Sequence, residues 1–215
     1  MPVINKMTIK EQIYAELKRR ILLRMYQPGE RLNIDSLARE LKVSNSPIRE
    51  ALIMLEKDEL VYTMPNSGPR VIELDEERTT EINQAIFVLL TGGFNLCLRL
   101  GRQKQLVEVL ESRLRAQREL PEGTDPLKTI LAAIAFDRSF LDACGNKRLV
   151  DTYTRLADIF FLSVIQRNRD PREIQENIDD HKNILKAARA GDEEEVRRLI
   201  AVHYRQPRVV IPSES

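Results

Sequence analysis

From residue 8 the chain reads TIKEQIYAELKRRILLRM, with Ile13, Leu17 and Ile21 at steps of four. Side chains four apart share one face of an α-helix, so this spacing predicts a helix with a single apolar stripe. Thr8 stands before it and Glu11 three residues on, the pattern of a capping box. Pro28-Gly29 is a turn signal that ends the segment. NIDSLARELKV predicts a shorter helix with Asn33 as its cap and Ile34, Leu37, Ala38 and Leu41 on one face. SNSPIREALIMLEKDEL predicts a third, with Ile48, Leu52 and Leu55 inward. Pro47 suits its first turn, where the missing N–H has no helical partner to lose. The period then changes: VYTMPNSGPRVIEL reads as two short strands around a turn at Pro65-Asn66-Ser67-Gly68. Three helices and a hairpin in this order make a winged helix-turn-helix, with the third helix as the recognition helix.

After Asp75 the pattern is helical throughout. DEERTTEINQAIFVLLTGGFNLCLRL contains Gly92-Gly93, expected to mark a kink or a close helix contact. RQKQLVEVLESRLRAQREL is amphipathic and ends at Pro121. PLKTILAAIAFDRSFLDACGN stops at Gly145-Asn146, and KRLVDTYTRLADIFFLSVIQRN follows. DPREIQENIDDHKNILKAARAG has Asp170 as its expected cap, and DEEEVRRLIAVHYRQ has Asp192 with Glu195 three on. Six helices with short connections predict an antiparallel bundle. The expected fold is therefore mainly α. It has an N-terminal winged helix-turn-helix over residues 1–72, a C-terminal antiparallel α-helical bundle over 73–206, and a loose tail over 207–215.

Composition adds bounds. Trp is absent and aromatic residues are only 5%, so the core must be built mainly from aliphatic side chains. No run of 18 apolar residues occurs, so no membrane span is expected. MPVINKMTIKEQ lacks the apolar stretch and small-residue cleavage site of a secretory signal. Cys97 and Cys144 have neither metal spacing nor the number for a disulfide framework, which fits a reducing cytoplasm. The net charge of +1 is uninformative until the chain is split. Residues 1–72 hold 12 Lys and Arg against 9 Asp and Glu, a net of +3, and the remainder holds 22 against 24, a net of −2. That asymmetry has the sign of a nucleic-acid module ahead of a ligand or partner module.

The start of the third helix carries the candidate chemistry. A recognition helix enters the major groove N-terminus first, and its unpaired first-turn N–H groups favour phosphate. Ser44 and Ser46 can cap the helix or bond phosphate oxygens. Asn45 can reach base edges, where its amide matches adenine, and Arg49 can take a phosphate or a guanine. Asp35 repels phosphate and is placed to accept from a cytosine amino group or to orient Arg49.

Residues 8–72, through PGERL, LARELKVSNSPIREALIMLEKDELV and NSGPRV, resemble the N-terminal domain of GntR-family bacterial transcription regulators. The resemblance implies a homodimeric repressor or activator that binds a double-stranded DNA operator. Ser44, Ser46, Arg49 and Gly68 match positions that contact DNA in the family. The chain departs from the family in having Asn45-Ser46 for Arg-Thr, Asp35 for Arg and Glu59 for Gly.

The second half resembles the helical ligand-binding domain of the FadR-like subgroup, the FCD domain, through AFDRSFLDACGNKRL and DDHKNILKAARAGDEEEVRRLIAVHYRQ. In many members an Asp and a His four residues apart on one helix, with two later His, bind a divalent metal where a small carboxylate effector docks. This chain keeps His181 and His203, has Asp137 at the helical His position, and has Ala133 at the Asp position. Two readings stay open. Asp137, His181 and His203 form a two-His-one-carboxylate site for Zn, Ni, Mn or Fe, or the metal has been lost and the histidines hydrogen-bond within a pocket. Near Ile86 and Leu90, where the subgroup often has a polar Arg and Glu, AIFVLLTGGF is apolar, which implies a more hydrophobic effector or none. The expected function is a cytoplasmic dimeric transcription regulator with a small-molecule effector and no enzymatic activity. The alternative is a metal-dependent enzyme or metal sensor on the bundle. Against the enzyme stands the lack of any nucleophile elbow, P-loop, HExxH or Rossmann glycine pattern.

Overall fold

The computed structural model describes residues 7–121, 123–166 and 171–205. The chain divides into two compact units, Met1–Asp75 and Glu76–Ser215. The expected Asp170 cap and the 207–215 tail lie outside the described residues.

The first unit contains α1 (Ile9–Leu22), α2 (Ile34–Leu41), α3 (Asn45–Lys57), β1 (Val61–Met64) and β2 (Gly68–Val71). Local chemistry starts the helices. The Thr8 hydroxyl accepts from the Glu11 N–H, and Glu11 accepts from the Thr8 N–H at 2.7 Å, closing the capping box. The Asn33 side chain accepts from the Ser36 N–H at 2.9 Å. The stripe Ile13, Leu17 and Ile21 packs against Ile48, Ala51 and Leu55 of α3, all buried. β1 and β2 pair antiparallel, with Val61 opposite Val71 and Met64 opposite Gly68. The segment before α2 lies along the outer strand: Leu32 N–H donates to Pro69 and Gly29 N–H to Val71. This fixes the wing against the helices. Asn66 and Gly68 take positive φ at the hairpin turn, 61° and 80°. Glu59, where the family resemblance has glycine, is held at φ 56° in the same left-handed region.

The second unit is a bundle of α4 (Glu76–Arg99), α5 (Gln103–Arg118), α6 (Pro126–Cys144), α7 (Lys147–Gln166), α8 (Pro171–Ala190) and α9 (Glu193–His203). α4 runs through Gly92-Gly93 without interruption. Close packing explains Gly93: a Cβ there would sit 2.7 Å from Leu141 Cδ2 and 3.1 Å from the Phe140 carbonyl of α6. Gly92 faces open space. α4 is long and apolar enough to cross a membrane by length and composition. Yet its stripe Ile82, Ile86, Leu90, Phe94 and Cys97 is buried in the bundle, and Phe94 meets Phe140 edge-to-face at 6.3 Å. The Asp192 carboxylate caps α9 through the Glu195 N–H at 2.9 Å.

Candidate functional site

The N-terminal turn of α3 presents Ser44, Asn45, Ser46 and Arg49, all exposed. Ser44 is the N-cap residue by backbone conformation, but its hydroxyl makes no capping bond. It is left available to an outside acceptor. The Asn45 amide donates to Asp35 Oδ1 at 2.8 Å, across the turn between α2 and α3. Asp35 therefore orients Asn45, and not Arg49 as one expectation had it. Arg49 makes no ion pair among the described residues. It shares a cleft of about 430 Å³ with Arg31, Asp35, Thr63 and Gly68, lying between α3 and the wing. Ser44, Asn45 and Ser46 do not line that cleft.

In the bundle, four helices bring together Gln117 (α5), Asp137 (α6), His181 (α8), and His203 with the adjoining Tyr204 (α9). Ligand atoms of Asp137, His181 and His203 lie within 4.8 Å of one another. Each of the three is oriented by a further side chain. Gln117 Nε2 donates to Asn177 Oδ1 at 2.7 Å, so Gln117 Oε1 faces His181 Nδ1 as an acceptor at 2.8 Å. Asp180 Oδ2 lies 2.9 Å from His203 Nδ1. The Tyr204 hydroxyl donates to Asp137 Oδ2 at 2.6 Å. Phe136 stacks on the His181 ring with centroids 4.0 Å apart, which fixes its plane. The histidines do not bond each other; their rings tilt at 5.0 Å.

The electrostatics follow from burial. His181 is fully buried, and desolvation pushes it below its ordinary value against the opposing pull of Asp137. Burial alone would raise the Asp137 carboxyl; the Tyr204 donor, and His181 and His203 where they carry a proton, pull it below the usual carboxylate range. Burial and the Asp137 charge push Tyr204 well above the ordinary phenol value, so it remains a donor. A neutral His181 whose Nδ1–H points to Gln117 has a bare lone pair on Nε2. That atom is buried without a hydrogen-bond partner, 3.6 Å from Asp137 Oδ1. In that state two acceptors face each other in a buried site, an arrangement that a cation between them would satisfy. Two imidazole nitrogens and one carboxylate oxygen form a donor set suited to Zn, Ni, Mn or Fe.

A cavity of about 350 Å³ adjoins the cluster, lined by Thr79, Asn83, Ala133, Asp137, Glu173, Glu176, Asp180 and His203 among others. The expected apolar lining at Ile86 and Leu90 is corrected here: both are buried in the core, and α4 reaches the cavity through Thr79 and Asn83, one to three turns earlier. The apolar part of the wall comes instead from Ile130, Ile134, Phe160, Val164 and Val202. Gln117, Asn177, Asp180 and Tyr204 were not singled out from sequence. Only the position of Asp180 beside His181, and of Tyr204 beside His203, could have drawn notice.

Residues 9–71 match the model of the gntR family of bacterial regulatory proteins, and residues 95–206 match the FCD domain. The HTH-type transcriptional regulator YdhC of Bacillus subtilis is 25% identical over 90% of this chain and 86% of its own. The HTH-type transcriptional repressor GlaR of Escherichia coli is 23% identical over 92% of this chain and 93% of its own. Among solved structures, Escherichia coli McbR/YncC superposes with a TM-score of 0.69 at 24% identity, covering 94% of this chain and 95% of that one. The two matched segments are a winged helix-turn-helix followed by an FCD bundle, and the chain belongs to the GntR family of DNA-binding transcription regulators, with an FCD effector-binding domain.

Proposed function

We propose that this regulator is a cytoplasmic homodimer that holds a divalent metal through Asp137, His181 and His203 and changes its operator affinity when an effector enters the adjoining cavity. The bare Nε2 of buried His181, facing Asp137 Oδ1 at 3.6 Å, carries the metal reading. A bound divalent ion supplies positive charge and open coordination positions for a ligand. The chain's own residues do the positioning. Gln117 and Asp180 set the imidazole orientations, and Tyr204 turns the free oxygen of Asp137 toward the histidines.

At the operator, the free Ser44 hydroxyl and the N–H groups of the α3 N-terminus favour phosphate, with Ser46 beside them. In this reading Asn45 and Arg49 contact base edges or phosphate, and Gly68, at φ 80°, lets the wing turn tightly beside Arg31. The homodimer is supported by the second face of α4. Val88 (63% exposed), Gly92 and Leu96 recur there at steps of four, with nothing within 4 Å of a Cβ at Gly92. Effector binding then acts by differential affinity for two states of the dimer. Operator binding by metal-loaded and metal-stripped protein, with elemental analysis of both, tests the reading. Wild-type protein that neither retains nor takes up metal sinks it.

A further inference from the structure

We infer that Arg31 is a further operator-binding residue, whose guanidinium holds a backbone phosphate beside Arg49 in the cleft between α3 and the wing. This rests on the reading that α3 and the wing face the operator. Arg31 lies in the segment before α2, which runs along β2 as a third extended stretch. Arg31 is bridged to Arg70, the Leu32 N–H donates to the Pro69 carbonyl at 2.9 Å, and the Glu30 carbonyl accepts from the Val71 N–H at 3.0 Å. Successive side chains of an extended segment point to opposite sides. Leu32 goes inward and is buried, so Arg31 is turned outward.

The two bridged arginines have different fates. Arg70 Nη1 donates to the Gly29 carbonyl at 2.8 Å and Nη2 to Ser67 Oγ at 3.1 Å, so its fork is spent inside the wing. The Arg31 side chain is exposed and makes no hydrogen bond or ion pair among the described residues. It lies over the wing turn: a Cβ at Gly68 would sit 3.7 Å from Arg31 Nε and 3.9 Å from Nη2. Arg49 lines the same cleft from α3. The two carboxylates there are each turned onto another donor, Asp35 onto the Asn45 amide and Glu56 onto the Thr63 N–H at 3.0 Å. Neither forms an ion pair with Arg31 or Arg49 among the described residues. Two unpaired guanidiniums from different elements, on one cleft, suit an anion with several acceptor oxygens. With α3 in the major groove, a group held between it and the wing faces the strand that borders the groove, and so phosphate rather than base edges.

The test titrates the full chain with a duplex that wild-type protein selects from a random pool, and with an unrelated duplex of the same length, at two salt concentrations. Arg31→Ala should weaken both duplexes by a similar factor, because a phosphate contact carries no sequence. The slope of log affinity against log salt should flatten by about 1. The ratio of wild-type to variant affinity should therefore be about threefold larger at about 50 mM salt than at about 200 mM. Arg31→Lys keeps an aliphatic stem and the charge, and should restore the slope. The half-site that Arg31→Ala selects should be that of wild type. Wild-type affinity in Arg31→Ala at both salt concentrations, a slope that Arg31→Lys does not restore, or a shifted half-site would overturn the inference. Failure of the α3 reading looks different: there Arg49→Ala also binds as wild type does, whereas failure at Arg31 alone leaves Arg49→Ala weakened.

Discussion

Asn45, in the first turn of α3, donates its amide to Asp35 of α2 at 2.8 Å. The carboxylate takes one of two amide protons. The remaining proton and Oδ1 are the donor–acceptor pair that matches adenine N6 and N7. Asp35 thus holds Asn45 in a defined orientation at the N-terminal end of α3. Binding sites selected from a random DNA pool should be richer in A·T at the Asn45 position than the family norm, with half-sites about one helical turn apart. Asn45→Arg should shift preference toward guanine by roughly 1–3 kcal/mol. The shift should be smaller with Asp35 present than in Asn45→Arg/Asp35→Ala, because Asp35 would draw the new guanidinium to itself. Identical half-sites from all these pools would mean that Asn45 reads no base.

Arg49 faces the cleft between α3 and the wing without an ion pair among the described residues. Arg49→Ala should cost about 1–3 kcal/mol of operator affinity if the guanidinium reads a base. If it touches phosphate, the slope of log affinity against log salt should flatten by about 1. Affinity measured at two salt concentrations distinguishes the cases, and an unchanged affinity at both removes Arg49 from the interface.

For the metal site, His181→Ala and His203→Ala should each lower metal content and abolish the rise in Tm on metal addition. That rise corresponds to roughly 2.7 kcal/mol at a metal concentration 100 times Kd. Gln117→Leu touches no ligand atom other than through His181 Nδ1. It should still weaken metal binding by about 10–100-fold, as loss of an orienting partner does. Asp137→His, which restores the residue that the family resemblance has there, should raise metal affinity. Metal affinity unchanged in Gln117→Leu would show that the hydrogen bond is structural alone.

Two backbone positions make opposite predictions. Gly93→Ala forces a methyl group to within 2.7 Å of Leu141 and 3.1 Å of a backbone carbonyl that cannot swing away. Denaturant unfolding should show a loss of about 1–3 kcal/mol. Glu59 is exposed and sits at φ 56°, so Glu59→Gly relieves a left-handed conformation. After the extra chain entropy of glycine, the net gain should be roughly 0.5–1 kcal/mol.

The Tyr14 hydroxyl donates to Asp58. Burial, and then the acceptor role of Asp58, raise its ionisation above the ordinary value, with Lys18 opposing. The folded state therefore favours the neutral phenol. Its stabilisation is fully present below roughly pH 10, where an unfolded tyrosine ionises, and is lost as pH rises through the raised value. Tyr14→Phe should cost roughly 1 kcal/mol at neutral pH, as a half-buried hydrogen bond does. The difference from wild type should shrink in denaturation curves measured above pH 10. A difference that is constant with pH would detach the phenol from the alkaline transition.

Much of this protein is written in short-range signals. Thr8 with Glu11, Asn33 and Asp192 mark helix starts because a capping side chain reaches only two or three residues along its own chain. The stripe Ile13, Leu17 and Ile21, and the turn before Gly68, are legible for the same reason: their meaning lies in spacing that the local backbone enforces. His181, His203 and Asp137 could be singled out by resemblance to a family, not by any local pattern. What surrounds them could not. Gln117 is 64 residues from His181, and Tyr204 is 67 from Asp137. A lone Gln or Tyr on an amphipathic helix carries no sign of the partner that packing will bring to it. The character of the cavity was likewise decided in three dimensions. The apolar run around Ile86 and Leu90 went into the core, while Asn83, Glu173 and Glu176 came to the wall. Which face of a helix meets a cavity depends on the rotation that its neighbours impose, and that rotation is set by the packing of all the helices together.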